Sequence, residues 1–321
     1  MDARVIDFHV HLQPSAREGI AFQRQFGFES PKRTGTPEEA LAVMDEAGVA
    51  QALMVPWMPA QHVLERRLVE RAHEDAPALS AAERREAVRR EVVEEWFALN
   101  RWAVETVARH PGRLHCVVGL DPILMSEAEL RREVADELAR GACGLKISPL
   151  FLRAAANDAR LAIVFELAAQ HGVFVLSQAG ANGYGVEPAW GHPRFFEEVL
   201  AAWPGVDVQL AHLGLGAEAE VARLTARYPN LYADTSARLH EIGRPGGWTL
   251  AEAAEWLRRI GIDRVVFGTN YPMHEPAEFI DAIREMPLRE DERERILHAN
   301  AAGILARAAA RRSARGGAER G

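Results

Sequence analysis

The chain has 321 residues, of which 48% are hydrophobic and 26% are charged, and its formal net charge is −8. This composition predicts a globular protein with one large α/β domain or two smaller ones. The negative charge argues against a general nucleic-acid partner. No apolar run approaches the roughly 20 residues of a membrane span, and the first residues lack a secretory pattern. We therefore expect a cytoplasmic protein without a membrane partner.

Short apolar runs typical of β-strands alternate with helical segments along the chain. The predicted strands are 5–11, 51–56, 114–120, 144–148, 173–178, 206–212, 231–234 and 264–270. The predicted helices are 36–47, 127–140, 158–171, 193–203, 217–228, 250–260, 276–286 and 289–309. Continuous apolar strands separated by helices indicate a parallel sheet that helices cover.

Eight such units predict an α/β fold of the closed (β/α)₈ TIM-barrel type, with an open doubly wound sheet as the alternative. Polar residues interrupt the apolar runs at the carboxyl ends of the strands, which in a barrel converge on one mouth. These residues are His9, His11, Lys146, Gln178, His212, Asp234 and Asn270. Their shared position favours closure, because it would place them in one active site.

One segment between two predicted strands is longer than a minimal barrel requires. Residues 59–112, between the second and third strands, are long and strongly helical in composition, with charges over a thin apolar stripe. They predict a helical insertion that lies over the barrel mouth or at a subunit interface. We expect a single barrel domain over residues 1–307 and a disordered tail over 308–321, which is small, basic and glycine-containing.

The first strand carries two histidines two positions apart. Because alternate residues of a strand point to the same face, His9 and His11 aim at one point, and Asp7 lies on that face too. Such a pair is a natural half-site for a divalent metal ion. Two polar residues that merely alternate at a strand end would be the structural alternative.

Six motifs, taken in order, resemble the second amidohydrolase-related family of the amidohydrolase superfamily. They are IDFHVH at 6–11, GLKISP at 144–149, LAHLG at 210–214, LYADTS at 231–236, FGTNYP at 267–272 and ILHANA at 296–301. That family includes aminocarboxymuconate-semialdehyde decarboxylase, γ-resorcylate-type decarboxylases and various hydrolases. The resemblance spans almost the whole chain and is specific for family but not for substrate.

The resemblance implies a mononuclear Zn²⁺ or Mn²⁺ ion held by the first-strand histidine pair, a fifth-strand histidine and an eighth-strand aspartate. It also implies that the sixth-strand His212 acts as an acid or base. His9, His11 and His212 match the family, whereas Gln178 and Asn270 occupy the other two ligand positions. An amide oxygen is a weaker ligand than imidazole or carboxylate, and Asn270 cannot accept a proton from metal-bound water.

Three interpretations stay open. In the first, His9 and His11 hold a weakly bound divalent ion (Zn, Mn or Fe), with Gln178 and Asn270 at the altered ligand positions. In the second, no metal binds, and the protein is a lactonase, isomerase, cyclase or dehydratase that uses His212. In the third, the protein is a non-catalytic binding or scaffold homologue.

Our leading expectation is a hydrolase, or a decarboxylase or related lyase, that acts on a small carboxylated or cyclic substrate at the barrel mouth. His212 and Asn270 are the predicted catalytic residues. Lys146, Gln178, Asp234 and Trp57 are predicted to bind a substrate that is anionic, because the mouth combines histidines with Lys146. His240 and His274, which follow the last two strands, are also expected near the mouth. A homodimer is expected.

Overall fold

The barrel is closed in a computed structural model that describes residues 5–72, 80–181 and 189–318. Eight parallel strands follow one another in chain order around the sheet. They are β1 (Val5–Val10), β2 (Val49–Met54), β3 (Leu114–Gly119), β4 (Gly144–Ile147), β5 (Phe174–Ser177), β6 (Val208–Leu210), β7 (Leu231–Asp234) and β8 (Val265–Val266). Backbone hydrogen bonds between β1 and the segment after β8 complete the ring, among them Phe8 N to Phe267 O at 2.8 Å. The predicted (β/α)₈ barrel is confirmed.

Helices surround the strands. They are α1 (Ala16–Arg24), α2 (Pro37–Ala47), α3 (Ala60–Ala72), α4 (Ala81–Arg109), α5 (Glu127–Arg140), α6 (Pro149–Leu152), α7 (Ala162–His171), α8 (Glu197–Ala202), α9 (Glu218–Arg227), α10 (Leu250–Ile260), α11 (Pro276–Glu285), α12 (Glu290–Glu294) and α13 (Asn300–Ala318). Local capping sets several of their ends. For example, the Thr36 side chain accepts a hydrogen bond from Glu39 N at the start of α2, and Gly48 ends that helix with φ 75°.

Two strands are shorter than their apolar runs predict. The run 206–212 forms a strand only over Val208–Leu210, and the run 264–270 only over Val265–Val266. The reason lies in the backbone, because His212 has φ 63° and Asn270 has φ 69°, which are left-handed values that no strand accommodates. Both functional candidates therefore sit where the chain leaves the sheet and turns.

The predicted insertion between the second and third strands is confirmed as α3 and α4. The apolar stripe of α4, which includes Val92, Val93 and Trp96, is buried against β3 and α5 on the outside of the barrel. The Asn100 side chain pairs with both backbone groups of Gly119 at the end of β3, at 2.8 and 3.0 Å. This helix thus extends the outer helical layer along β3.

The carboxyl-terminal segment differs from the disordered tail that we predicted over 308–321. Helix α13 continues to Ala318, and residues 319–321 lie outside the described part of the chain. Arginine side chains fasten it to the barrel: Arg311 contacts Asp207 at 3.3 Å, and Arg312 donates to the carbonyl oxygens of Ala142 and Leu138. Basic residues that composition alone assigns to a solvated tail here satisfy carbonyl and carboxylate oxygens.

Within the described residues, no helix combines the length and the apolar character that a membrane crossing requires.

A buried acidic side chain lies where the inserted helix meets α5. Glu133 is 4% exposed, and its Oε1 accepts a hydrogen bond from Asn100 Nδ2 at 2.9 Å. Burial outweighs that hydrogen bond and raises the pKa of Glu133 from 4.5 to about 7. The folded protein therefore binds this proton more tightly than the unfolded chain. As a result, the free energy of unfolding falls as pH rises from the unfolded pKa through the folded one.

We expect Glu133→Gln to remove that loss, because Gln keeps the acceptor for Asn100 and carries no charge. The variant should gain about 1–2 kcal/mol relative to the native chain at about pH 8 and little at about pH 5. Urea unfolding at the two pH values measures the difference. Glu94→Gln, which changes an exposed carboxylate of α4, is the matched control. An equal effect of Glu133→Gln at both pH values would contradict the assignment.

Candidate active site at the barrel mouth

The carboxyl ends of the strands bring the predicted polar residues together in one buried group. These residues, His9, His11, Lys146, Gln178, His212, Asp234 and Asn270, are each at most 9% exposed. Burial of so many polar groups at one end of the barrel needs internal partners or a ligand to compensate it. The site divides into a cavity floor that a ligand can reach and a hydrogen-bonded layer beneath it.

A cavity of about 260 Å³, here called the mouth cavity, opens above the strand ends. It is lined by His11, Phe26, Phe28, Trp57, Lys146, Ser148, Phe151, Gln178, Ala237, His240, Asn270, Met273 and His274. The structure thus places Trp57, His240 and His274 at the mouth, together with four of the strand-end residues. His9, His212 and Asp234 lie in the layer beneath.

The two first-strand histidines turn their Nε2 atoms toward each other. His9 Nδ1 lies 3.0 Å from an oxygen of Asp234, and His11 Nδ1 lies 2.8 Å from the carbonyl oxygen of Val55. Both acceptors fix the proton on Nδ1, so each Nε2 carries a lone pair. The two Nε2 atoms are 3.2 Å apart. This distance is close to the separation of about 3.3 Å between two imidazole nitrogens that bind one zinc ion.

Burial keeps this pair neutral. It lowers the pKa of His9, although the nearby Asp234 opposes the shift, and it lowers the pKa of His11 well below the usual value. Neutral imidazole is the form that binds a metal ion. The pair therefore fits a divalent ion, with the Nδ1 hydrogen bonds acting as the outer contacts that orient each ring.

Asp234 holds the layer beneath the cavity together. One oxygen accepts from His9 Nδ1 and from Gln209 Nε2 (2.7 Å), and the other accepts from the backbone N–H of His212 and of Ser236, both at 3.0 Å. Burial alone would raise the pKa of Asp234, but the two imidazoles and the Ser236 hydroxyl hold it well below its usual range. We predicted that Asp234 binds substrate; it lies instead under the floor, where it orients His9 and the turn that carries His212.

His212 stacks beside His9, with ring centroids 5.4 Å apart. Its Nδ1 lies 3.0 Å from the carbonyl oxygen of Ser236, which leaves Nε2 as the basic atom of the neutral ring. Burial lowers the pKa of His212 to about 3, so the ring is uncharged near neutral pH. His212 can thus accept and return a proton but does not arrive as a cation.

Lys146 supplies the positive charge of the cavity floor. It is 3% exposed, and no carboxylate of the described residues lies within ion-pair distance of its ammonium group. Burial lowers the pKa of Lys146 to about 7, against the opposing effect of Asp234. An anionic ligand would restore the charged form, because an opposite charge stabilises it.

The two altered ligand positions both line the cavity. Asn270 Oδ1 is buried and has no hydrogen-bond partner among the described residues. An orphaned acceptor of this kind costs free energy unless a ligand or ion satisfies it. Gln178 Oε1 accepts weakly from Leu150 N at 3.4 Å, and Gly191 packs so close to this amide that a Cβ there would lie 2.6 Å from it.

Aromatic rings form the cavity wall. Trp57 packs on Phe151 at 4.6 Å and on Phe26 at 5.5 Å between ring centroids. The Trp57 Nε1 atom is buried and also lacks a partner in the described part of the chain. The sequence analysis found Trp57 but missed the phenylalanines, since Phe26 and Phe28 come from a loop and Phe151 from the short helix α6, whose packing no local pattern reveals. It also predicted no role for Ser236, the last residue of the LYADTS motif.

Two sets of side chains could hold a metal ion. Ligand atoms of His9, His212 and Asp234 lie within 4.8 Å of one another. In that set, however, the Asp234 oxygens already accept several hydrogen bonds, including one from His9. The free lone pairs belong to His9 and His11, and among the described residues that line the cavity, Asn270 Oδ1 is a buried oxygen without a partner. This second set fits a divalent ion better, since its donor atoms have no competing partners.

The fold and the site together define a barrel enzyme that places histidine and amide donors at the carboxyl ends of its strands. The chain belongs to the amidohydrolase family, whose model matches residues 6–307. The predicted resemblance is thereby confirmed.

Solved structures share this fold at low identity. A TIM-barrel protein from Bordetella bronchiseptica is 22% identical, with a TM-score of 0.70 over 95% of this chain and 99% of that one. The 5-carboxyvanillate decarboxylase of Sphingomonas paucimobilis is 18% identical, with a TM-score of 0.64 over 95% and 99%. A dihydroxybenzoic acid decarboxylase from Polaromonas, with bound manganese and 2-nitroresorcinol, is 16% identical, with a TM-score of 0.64 over 94% and 96%. Among curated proteins, none matches the chain.

We expect Asn270→Asp to raise the affinity for Mn²⁺ or Zn²⁺ by about tenfold or more, because it replaces a neutral oxygen with a charged one beside the two histidines. Titration of the chelator-treated protein with each ion, followed calorimetrically, measures the change. Asn270→Leu, which removes the oxygen, should weaken binding. Equal affinities of all three proteins would show that residue 270 is not a ligand.

Proposed function

We propose that this protein is a metal-dependent lyase that decarboxylates a small planar carboxylic acid. The observation that carries the proposal is the facing pair of lone pairs on His9 and His11 beside the unpaired Lys146 ammonium. Aromatic walls line the cavity that His11 and Lys146 face. A planar acid matches such a cavity, because its ring packs on Trp57 and Phe151 while its carboxylate meets the cation. Decarboxylases of aromatic acids among the structures of similar fold support this class.

Decarboxylation is favoured over hydrolysis by the residue at position 270. Hydrolysis needs a base that takes a proton from the attacking water, and the amide of Asn270 cannot do this. Decarboxylation needs no such nucleophile. The carbon–carbon electron pair stays on the ring carbon as CO₂ leaves, and that carbon then takes one proton, so the reaction consumes one proton overall.

Several residues of the site have a role in this reaction. Lys146 binds the carboxylate, Trp57 Nε1 offers a hydrogen bond, and the aromatic wall excludes water. The neutral His212 takes up one proton from solvent at Nε2 and donates it to the ring carbon as CO₂ leaves. A bound divalent ion would supply Lewis-acid polarisation of a substrate oxygen. His9, His11 and Asn270 are the residues that would hold it, and an imidazole and amide set favours weak binding of Mn²⁺ or Fe²⁺ over tight binding of Zn²⁺.

The proposal is tested with a panel of hydroxybenzoates and purified protein supplied with Mn²⁺. Release of CO₂, together with one deuterium on the ring carbon when the reaction runs in D₂O, would support it. Opening of lactones or amides with ¹⁸O incorporation from water, without CO₂ release, would instead establish a hydrolase. No reaction with either panel would contradict both assignments.

We expect Lys146→Met to weaken binding of benzoate-type anions by about tenfold at low salt, since it removes the cation that meets the carboxylate. The difference between the two proteins should shrink as salt is raised, because salt screens the charge interaction. Calorimetric titration at two salt concentrations measures it. Arg90→Met, which removes an exposed cation from α4, controls for net charge. An unchanged affinity of Lys146→Met would remove Lys146 from substrate binding.

We expect His212→Asn to lower turnover by about 10²-fold or more, the usual scale for loss of a proton-transferring group. Its effect should fall on kcat, because the proposed role of the ring is proton transfer and not binding of the carboxylate. Steady-state rates on the first accepted substrate measure it, and an unchanged KM would separate proton transfer from binding. Near-native turnover would exclude His212 from the mechanism.

A further inference from the structure

A second cavity of about 310 Å³, here called the side cavity, adjoins the mouth cavity. The two share four lining residues: Phe28, His240, Met273 and His274. His240 and His274 stack face to face, with centroids 4.3 Å apart and planes 20° apart. A ligand that fills the mouth cavity and extends past this stacked pair enters the side cavity.

The side cavity carries its own positive charge. Lys32 and Arg244 line it, and neither has an ion-pair partner within the described part of the chain. Of the two glutamates in its lining, Glu275 is taken by Arg33 in a two-point ion pair at 2.8 and 3.0 Å. Glu278 is exposed at the start of α11. The cations free to meet a ligand thus outnumber the free carboxylates.

The histidines between the cavities add no competing charge. Burial, with the nearby His240 and Arg244, lowers the pKa of His274 to about 3, and burial also lowers the pKa of His240. Both rings are therefore neutral near pH 7, and with Phe28 and Met273 they form an uncharged lining that the two cavities share. Along the path, Lys146 marks one positive end, the stacked rings an apolar middle, and Arg244 with Lys32 the other positive end.

We propose that the side cavity is a substrate subsite for a second anionic group, a carboxylate or a phosphate, joined to the first by an apolar segment. The subsite extends the proposed function, because the acid bound at Lys146 is the near end of the same molecule. Arg244 can bind either group through two parallel N–H donors, and Lys32 adds a second positive charge. Since both cations are exposed, each contributes modestly and in a salt-dependent way.

The probes that test the subsite are benzoate and benzoates that carry a terminal carboxylate or phosphonate on alkyl spacers of increasing length. Terminal amides of the same lengths serve as neutral partners. Calorimetric titration of the full chain should find a spacer at which the dianion binds about tenfold tighter than its amide. The double variant Arg244→Met/Lys32→Met should abolish this preference and leave benzoate affinity unchanged. The carboxylate and phosphonate series tell which group is preferred.

The outcomes separate this proposal from the previous one. If benzoate binds but no dianion exceeds its amide, or if the double variant keeps the preference, the subsite is refuted and the decarboxylase proposal stands. If neither benzoate nor any dianion binds, both proposals fail. Arg90→Met, whose charge lies on α4, should leave the dianion preference unchanged, and its loss there would show a general charge effect that also overturns the subsite.

Discussion

The buried carboxylate of Asp234 is the constraint on which the rest of the site depends. It is fully buried yet ionised, because His9, Gln209 and two backbone N–H groups all donate to it. The same hydrogen bonds fix the proton of His9 on Nδ1 and hold the left-handed turn at His212. If this carboxylate were protonated or replaced, His9 would lose its tautomer and the turn its anchor. The hydrogen bonds of Asp234 thus determine the orientation of His9 and of the turn that carries His212.

The cavity above this layer strengthens the interactions between the charged groups that it contains. Its aromatic walls are apolar, so an ion pair inside it gains more than the same pair at the surface. Lys146 illustrates the cost of this arrangement, since burial moves its pKa to about 7 in the absence of an anion. Ligand binding and lysine protonation are therefore linked, which favours anionic ligands over neutral ones.

The amides at positions 178 and 270 change the metal-binding and proton-transfer groups that the site offers. A carboxylate at 270 could serve both as a ligand and as a base, whereas Asn270 keeps only a neutral oxygen, left without a partner in the described structure. The site therefore lacks a carboxylate at position 270 to take a proton from water, whereas Lys146 and the two first-strand histidines remain. This exchange is the physical link between the sequence departures and the proposed lyase chemistry.

The sequence by itself determined the order of strands and helices and the polar residues at the strand ends. Apolar runs and capping residues act over a few positions, as at Thr36 and Gly48. Only the tertiary structure decided where β6 and β8 end, because the left-handed turns at His212 and Asn270 depend on distant partners such as Asp234 and His9. It alone also decided which aromatic side chains line the cavity and which residues lie beneath its floor. Those contacts join side chains far apart in sequence, and no local pattern encodes them.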